Sequence, residues 1–220
     1  MKKEKMDKYL RATGLIDSDH PAIREKAEEL SGRHPTYPEK AIALFYFVRD
    51  QIRYNPFMPR FLPEHFRASN TLAGREGFCI QKAVLLTALS RAAQIPARLR
   101  FAVIRNHLLP PKFSDLLEGN ELPDHGFAEL YLGGRWVKAN SAFDIGTCRD
   151  FIVPVEFDGQ KDALFHPRTK DGRPHIEYVL FRGSYGDVPF EEVAGWLTPV
   201  LTPEGRAKVL GRPLTLSIFP

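Results

Sequence analysis

The chain has 220 residues, 43% hydrophobic and 26% charged, an ordinary globular balance that excludes disordered, collagenous and coiled-coil classes. Its 31 basic residues against 27 acidic ones give a net charge of +4 and a pI near 9.1. The basic residues are scattered rather than gathered into a stripe, so no nucleic-acid partner is expected. The longest apolar run, Ala41 to Val48, falls well short of the roughly 18 residues of a membrane span, and the charged stretch Met1 to Asp7 does not resemble a signal peptide. A cytoplasmic protein without membrane contact is the expectation.

In chain order, Pro21 and Gly32 bracket a helix over Ala22 to Ser31. A second helix starts at Thr36 and Glu39, which have capping-box spacing. It carries Ala41, Leu44, Phe45, Val48 and Ile52 on one face and stops before Asn55-Pro56. Three prolines between Pro56 and Pro63 predict an extended loop. Cys79 then opens a helix whose stripe is Leu85, Ala88, Leu89 and Ala92, ended by Ile95-Pro96. Alternation from Ala97 to Ile104 predicts a strand, and Arg105 to Asp124 reads as a long loop that rims a groove. His125 to Leu132 and Arg135 to Ser141 flank Gly133-Gly134 as a tight hairpin. A strand over Ile176 to Phe181 and a helix over Phe190 to Leu197 complete the reading.

If the two glycines are the central turn residues, Leu132 faces Arg135, Tyr131 faces Trp136 and Glu129 faces Lys138. The same register puts His125, Phe127, Asn140, Ala142 and Asp144 on one side of the sheet. Asn140 and Asp144 are then diagonal neighbours of His125, and either could fix its tautomer. Cys79, in the first turn of a helix, has free N–H groups and the positive end of the helix dipole beside its sulfur, which should favour thiolate and hold an oxyanion. Gly77, two residues earlier, leaves room for a sharp turn and for substrate. His107 is a rival base, placed in the loop or pocket wall. His166, Asp171 and His175 match no metal-ligand spacing. Two cysteines, Cys79 and Cys148, are too few for a disulfide framework or a four-thiolate zinc site.

The stretch from Gly77 to Arg98, a cysteine after Gly-x followed by a leucine-rich helix ending in Ile95-Pro96-Ala97-Arg98, resembles the nucleophile helix of the transglutaminase-like superfamily. The stretch from His125 to Val137 resembles its histidine strand, H-x-aromatic-x-E-x-Y followed by Gly-x-Trp. Together they span Leu72 to Asp144. The resemblance implies a papain-like α+β fold, a helix-borne cysteine packed against an antiparallel sheet carrying the histidine. It also implies a cysteine-dependent acyl transfer on a peptide, protein or small amide. Where the family usually has Asp before Pro, this chain has Asn140-Ser141, with Asp144 four residues on. The expected site is therefore Cys79, His125 and either Asn140 or Asp144.

No metal or organic cofactor is required by that chemistry. One domain is expected over 1–220, with core motifs at 72–144, a helical part at 7–55 and a C-terminal extension at 151–220. Two other readings compete, a catalytically degenerate peptide- or protein-binding member of the same fold and a Cys79–Cys148 redox pair. Hydrolysis versus transamidation, and the oligomeric state, are left open by the sequence.

Overall fold

The computed structural model describes residues 4–110, 113 and 115–210. Its helices are α1 (Glu4–Asp7), α2 (Pro21–Ser31), α3 (Tyr37–Gln51), α4 (Ala68–Gly74), α5 (Cys79–Ala92), α6 (Phe190–Leu197) and α7 (Pro203–Leu210). The strands are β1 (Arg53–Tyr54), β2 (Glu76–Gly77), β3 (Ala97–Asn106), β4 (Glu121–Leu132), β5 (Arg135–Ala139) and β6 (Ile176–Tyr185). A four-stranded antiparallel sheet runs in the order β5-β4-β3-β6, and β1 and β2 form a separate short parallel pair. The fold is α+β. Among the described residues, no helix is long and apolar enough to cross a membrane.

α3 begins as its sequence dictates. The Thr36 hydroxyl accepts from the Glu39 N–H and the Glu39 carboxylate accepts from the Thr36 N–H, so two otherwise unpaired donors are satisfied reciprocally. At the β4–β5 turn, Gly133 and Gly134 take φ of +56° and +83°, left-handed at both positions. The hairpin register is the one the glycines predict, with Leu132 opposite Arg135, Tyr131 opposite Trp136 and Glu129 opposite Lys138.

β4 starts four residues before His125, so the loop runs from His107 to Asn120 rather than from Arg105 to Asp124. Pro123 hides this extension in the sequence. The β3–β4 register shifts between Ala102 and Ile104, opposite Pro123 and Asp124, and a proline that cannot donate to the ladder is accommodated at such a bulge.

The organising element is α5. Its sequence stripe suggests one buried face, yet every residue from Ile80 to Arg91 is buried, because α2, α3 and α4 pack on one side and the sheet on the other. Its polar side chains answer backbone carbonyls of the segments around it. Lys82 Nζ donates to Arg49 O (3.0 Å) and Ile52 O (2.6 Å). Arg91 donates to Ala97 O, Arg11 O and Gly186 O, and Gln81 Nε2 to Pro59 O and His65 O.

Burial pushes the Lys82 amine down to about 7, against the charges of Asp144 and Asp50. A neutral amine has two N–H donors and meets two acceptors here. Lys82→Met should therefore destabilise the protein by about 2–4 kcal/mol, since two buried carbonyls lose their partners. The unfolded chain holds the lysine proton up to its ordinary pKa, whereas the folded chain releases it near 7, so between those limits this group adds stability as pH rises. Denaturant unfolding should show a larger gap between wild type and variant at pH 9 than at pH 7.

Candidate active site

Cys79 is the first residue of α5. The preceding Phe78 is extended, and its N–H donates to Gln81 Oε1 at 3.1 Å, while the Ile80 and Gly126 N–H groups are the backbone donors to the sulfur. Gly77 is needed for packing here: a Cβ at this position would sit 3.1 Å from Gln81 Cβ and 3.2 Å from Thr71 Cγ2.

His125 lies on β4, and the next residue, Gly126, lets β4 press against the start of α5. A Cβ on Gly126 would lie 3.0 Å from Ile80 Cγ1 and 3.2 Å from Phe101 Cε1. Cys79 and His125 thus reach the wall of one cavity of about 840 Å3. The cavity is also lined by the 107–120 loop through Leu108, Leu109, Phe113 and Leu116, as the rim reading expects, and by Phe143 and Phe165.

Of the two candidates for orienting His125, the structure brings one to it. Asn140 Nδ2 is 3.2 Å from His125 Nε2 and also donates to the Tyr178 hydroxyl at 3.2 Å, while Asn140 Oδ1 accepts from the Ala142 N–H. Asp144 is engaged elsewhere. Its Oδ2 accepts from the Tyr54 N–H at 2.6 Å and its Oδ1 from the Thr147 N–H at 2.8 Å. Burial opposes its charge, but these bonds and the nearby Lys82 keep its carboxyl below the usual range. Asp144 pins the β1 segment to the turn at 144–147.

The electrostatics correct one expectation. Burial pushes the Cys79 thiol up to about 11, and Asp124 adds to the rise; the Gly126 N–H, the Arg60 charge and the Ile80 N–H pull it down without winning. Burial alone pushes His125 down to about 3, in a setting formed by Phe127, Phe165 and Tyr178. The resting pair is a neutral thiol and a neutral imidazole rather than a thiolate poised by the helix dipole. Desolvation of the ionic forms outweighs the first-turn amides.

Three neighbours were not singled out from sequence. Asp124, immediately before His125, is buried and pairs with Arg60 Nη1 at 3.1 Å; burial raises its carboxyl and Arg60 pulls it back. The Arg60 guanidinium stacks 3.8 Å above the Phe78 ring, next to Cys79. Tyr178 holds Asn140. Asp124 and Tyr178 stood within predicted elements or next to them, but their partners lie on segments that no local pattern connects. His107 lies beside Glu177, with its Nε2 3.5 Å from the carboxylate, and does not line the cavity. Cys148 is buried and unbridged. Among the described residues, no group of three or more His, Cys, Asp or Glu side chains could hold a metal ion.

A cysteine at the head of a buried helix and a histidine on the antiparallel sheet beside it, opening to one cavity, is the layout of papain-like α+β folds. The chain belongs to the transglutaminase-like superfamily, whose core matches residues 24–141. Three solved structures are similar. One is a candidate cysteine protease from Cytophaga hutchinsonii, at 19% identity and a TM-score of 0.47, with 84% of this chain and 57% of that one covered. Another is a candidate protease from Parabacteroides distasonis, at 16% and 0.39, with 61% and 25% covered. The third is the periplasmic domain of TgpA from Pseudomonas aeruginosa, at 21% and 0.47, with 64% and 48% covered. The chain thus spans between 25% and 57% of their lengths. No curated protein sequence matches it significantly.

The charge state is open to direct measurement. Labelling of Cys79 by neutral iodoacetamide should climb steadily as pH rises past 9, following a thiol titrating near 11. A plateau reached below pH 8 would instead mark a preformed thiolate–imidazolium pair.

Proposed function

We propose that the protein is a cysteine-dependent acyl-transfer enzyme acting on an amide bond, with Cys79 as nucleophile, His125 as general acid and base, and Asn140 as the residue that positions the ring. The observation that carries this reading is the Asn140 amide on His125 Nε2, so that Nδ1 is the ring nitrogen that would serve the sulfur and the substrate. Because both partners rest neutral, proton transfer accompanies attack. As the S–C bond forms, the thiol proton passes to His125 and the carbonyl electrons move onto oxygen. The Cys79 N–H, at the helix start, supports that oxyanion. Collapse breaks the C–N bond, and the imidazolium gives its proton to the leaving amine. Water or a second amine, deprotonated by His125, then attacks the thioester and releases Cys79.

The amide orientation refines this reading. With Nδ2 turned to Nε2, the neutral ring carries its proton on Nδ1 and is set to donate rather than to receive. Accepting the thiol proton at Nδ1 requires the amide to turn over and offer Oδ1 to an Nε2–H, giving up the Ala142 N–H. The need for that turn, together with Asn in the family's usual Asp position, is what a second reading rests on, a non-catalytic member that binds peptides in the same cleft.

Substitution separates the two. Cys79→Ala should abolish turnover with the fold intact, and Asn140→Ala should lower kcat about tenfold or more. Asp144→Ala should lower Tm and change kcat less than about threefold, since Asp144 holds Tyr54 and Thr147 rather than the ring. Asn140→Asp places a carboxylate on Nε2, stabilises the imidazolium and should move the acid limb of the pH–rate profile upward by about one unit or more. Full activity in Cys79→Ala would sink the enzyme reading.

A further inference from the structure

The cavity has a chemical character that the catalytic residues do not account for. At about 840 Å3 it is large enough to enclose most of a small ligand, and its walls are hydrocarbon and aromatic: Phe57, Phe113, Phe143, Phe151, Leu117 and Leu122 among them. Asp115, Lys208 and His175 also line it; Lys208 pairs with Glu204, His175 Nδ1 is buried without a partner, and three further polar groups are committed. Asp124 pairs with Arg60, Asn106 Oδ1 holds the Leu108 N–H, and the Thr147 hydroxyl rests on Asp144. His175 packs near Phe143 and Phe165, and burial holds its ring below the usual pKa, so that wall carries no charge near neutrality.

β3 is hydrogen-bonded to a strand on both sides, whereas β4 pairs with β5 only from Ala128 to Leu132. An ionised chain entering this space would lose its water against walls that are mainly hydrocarbon and aromatic. A hydrocarbon chain loses nothing of the kind.

We infer that the site selects an uncharged, hydrophobic acyl group, so that the carbonyl presented to Cys79 carries an extended alkyl or aromatic chain lying along this cavity. The inference rests on the proposed role of Cys79 and adds the substrate class. The same chemistry has two sources, the apolar side chain of a peptide residue and a fatty acyl chain.

Chloromethyl ketones test it without turnover. The Cys79 sulfur attacks the CH2 carbon, chloride leaves, and the ketone substituent lies where the acyl chain would. Labelling of Cys79 on the full chain would be followed by peptide mapping at pH 8 and corrected for each reagent's rate with free cysteine. n-Octyl and benzyl ketones should label saturably and at least tenfold faster than chloroacetone, while chains ending in carboxylate or ammonium show no gain. Phe151→Glu, at a partly exposed wall position, should remove most of the gain of the n-octyl and benzyl reagents over chloroacetone.

A preference between linear alkyl and phenylalanine-derived reagents tells the two sources apart. Corrected rates independent of the chain, or faster labelling by the charged reagents, would overturn the inference. Chain-selective labelling in a protein that turns over no amide supports the apolar site and removes the enzyme reading, so the two fail separately.

Discussion

The site depends on one close approach, β4 against the first turn of α5 at Gly126 and Ile80. Gly126 has no side chain, so the strand backbone lies within van der Waals distance of Ile80, and the residues just before these two, His125 and Cys79, reach the same cavity. A β-carbon at 126 would meet Ile80 and Phe101 together, and neither the core helix nor the central strand β3 has room to yield. The rest of the molecule holds this contact in place. Lys82, Gln81 and Arg91 tie α5 to the loops around it through backbone carbonyls, so the helix that presents the sulfur is anchored along its length by polar bonds inside an apolar shell.

The shell has an electrostatic consequence. Helix N-termini favour anions, and the sequence alone suggests an acidic thiol. In this fold the same packing that positions the pair also strips water from it, so both groups rest uncharged. Among the described residues, the charges that act on the sulfur are those of Asp124 and Arg60, which pair with each other. On the proposed reading, the ions would be created and discharged within a single encounter with substrate, and the position of the Asn140 amide becomes as important as its identity.

Much of this was legible in the sequence. The capping box of Thr36 and Glu39, the start of α5 at Cys79 and its end before Pro96, and the glycine turn of the hairpin are local signals, and the structure follows each. The short elements α4, β1 and β2 left no signal, since seven- and two-residue segments show no period. The role of Asp144 was hidden for a different reason. Hairpin register makes Asn140 and Asp144 symmetric about Ala142, and what distinguishes them comes mainly from the distant residues Tyr54, Ala163 and Tyr178. Tyr54 and Thr147 occupy Asp144, while Tyr178 and the Ala163 carbonyl hold Asn140 by side chain and backbone. The periodicity of α5 misled in one respect, because a helix enclosed on all sides has no single stripe.

The 107–120 loop has a small core of its own. Leu116 and Leu117 pack with Leu197 and Leu201, the Glu118 N–H bonds to Val200 O at 2.7 Å, and the Thr202 N–H bonds to Leu116 O. Cys79, His125 and Asn140 are all synthesised well before Leu197. On the ribosome, therefore, Cys79 and His125 leave the exit tunnel before the segment that packs against this side of the cavity. The stretch from Leu197 to Thr202 completes that wall, so the order of synthesis separates the two side chains from part of the cavity they reach.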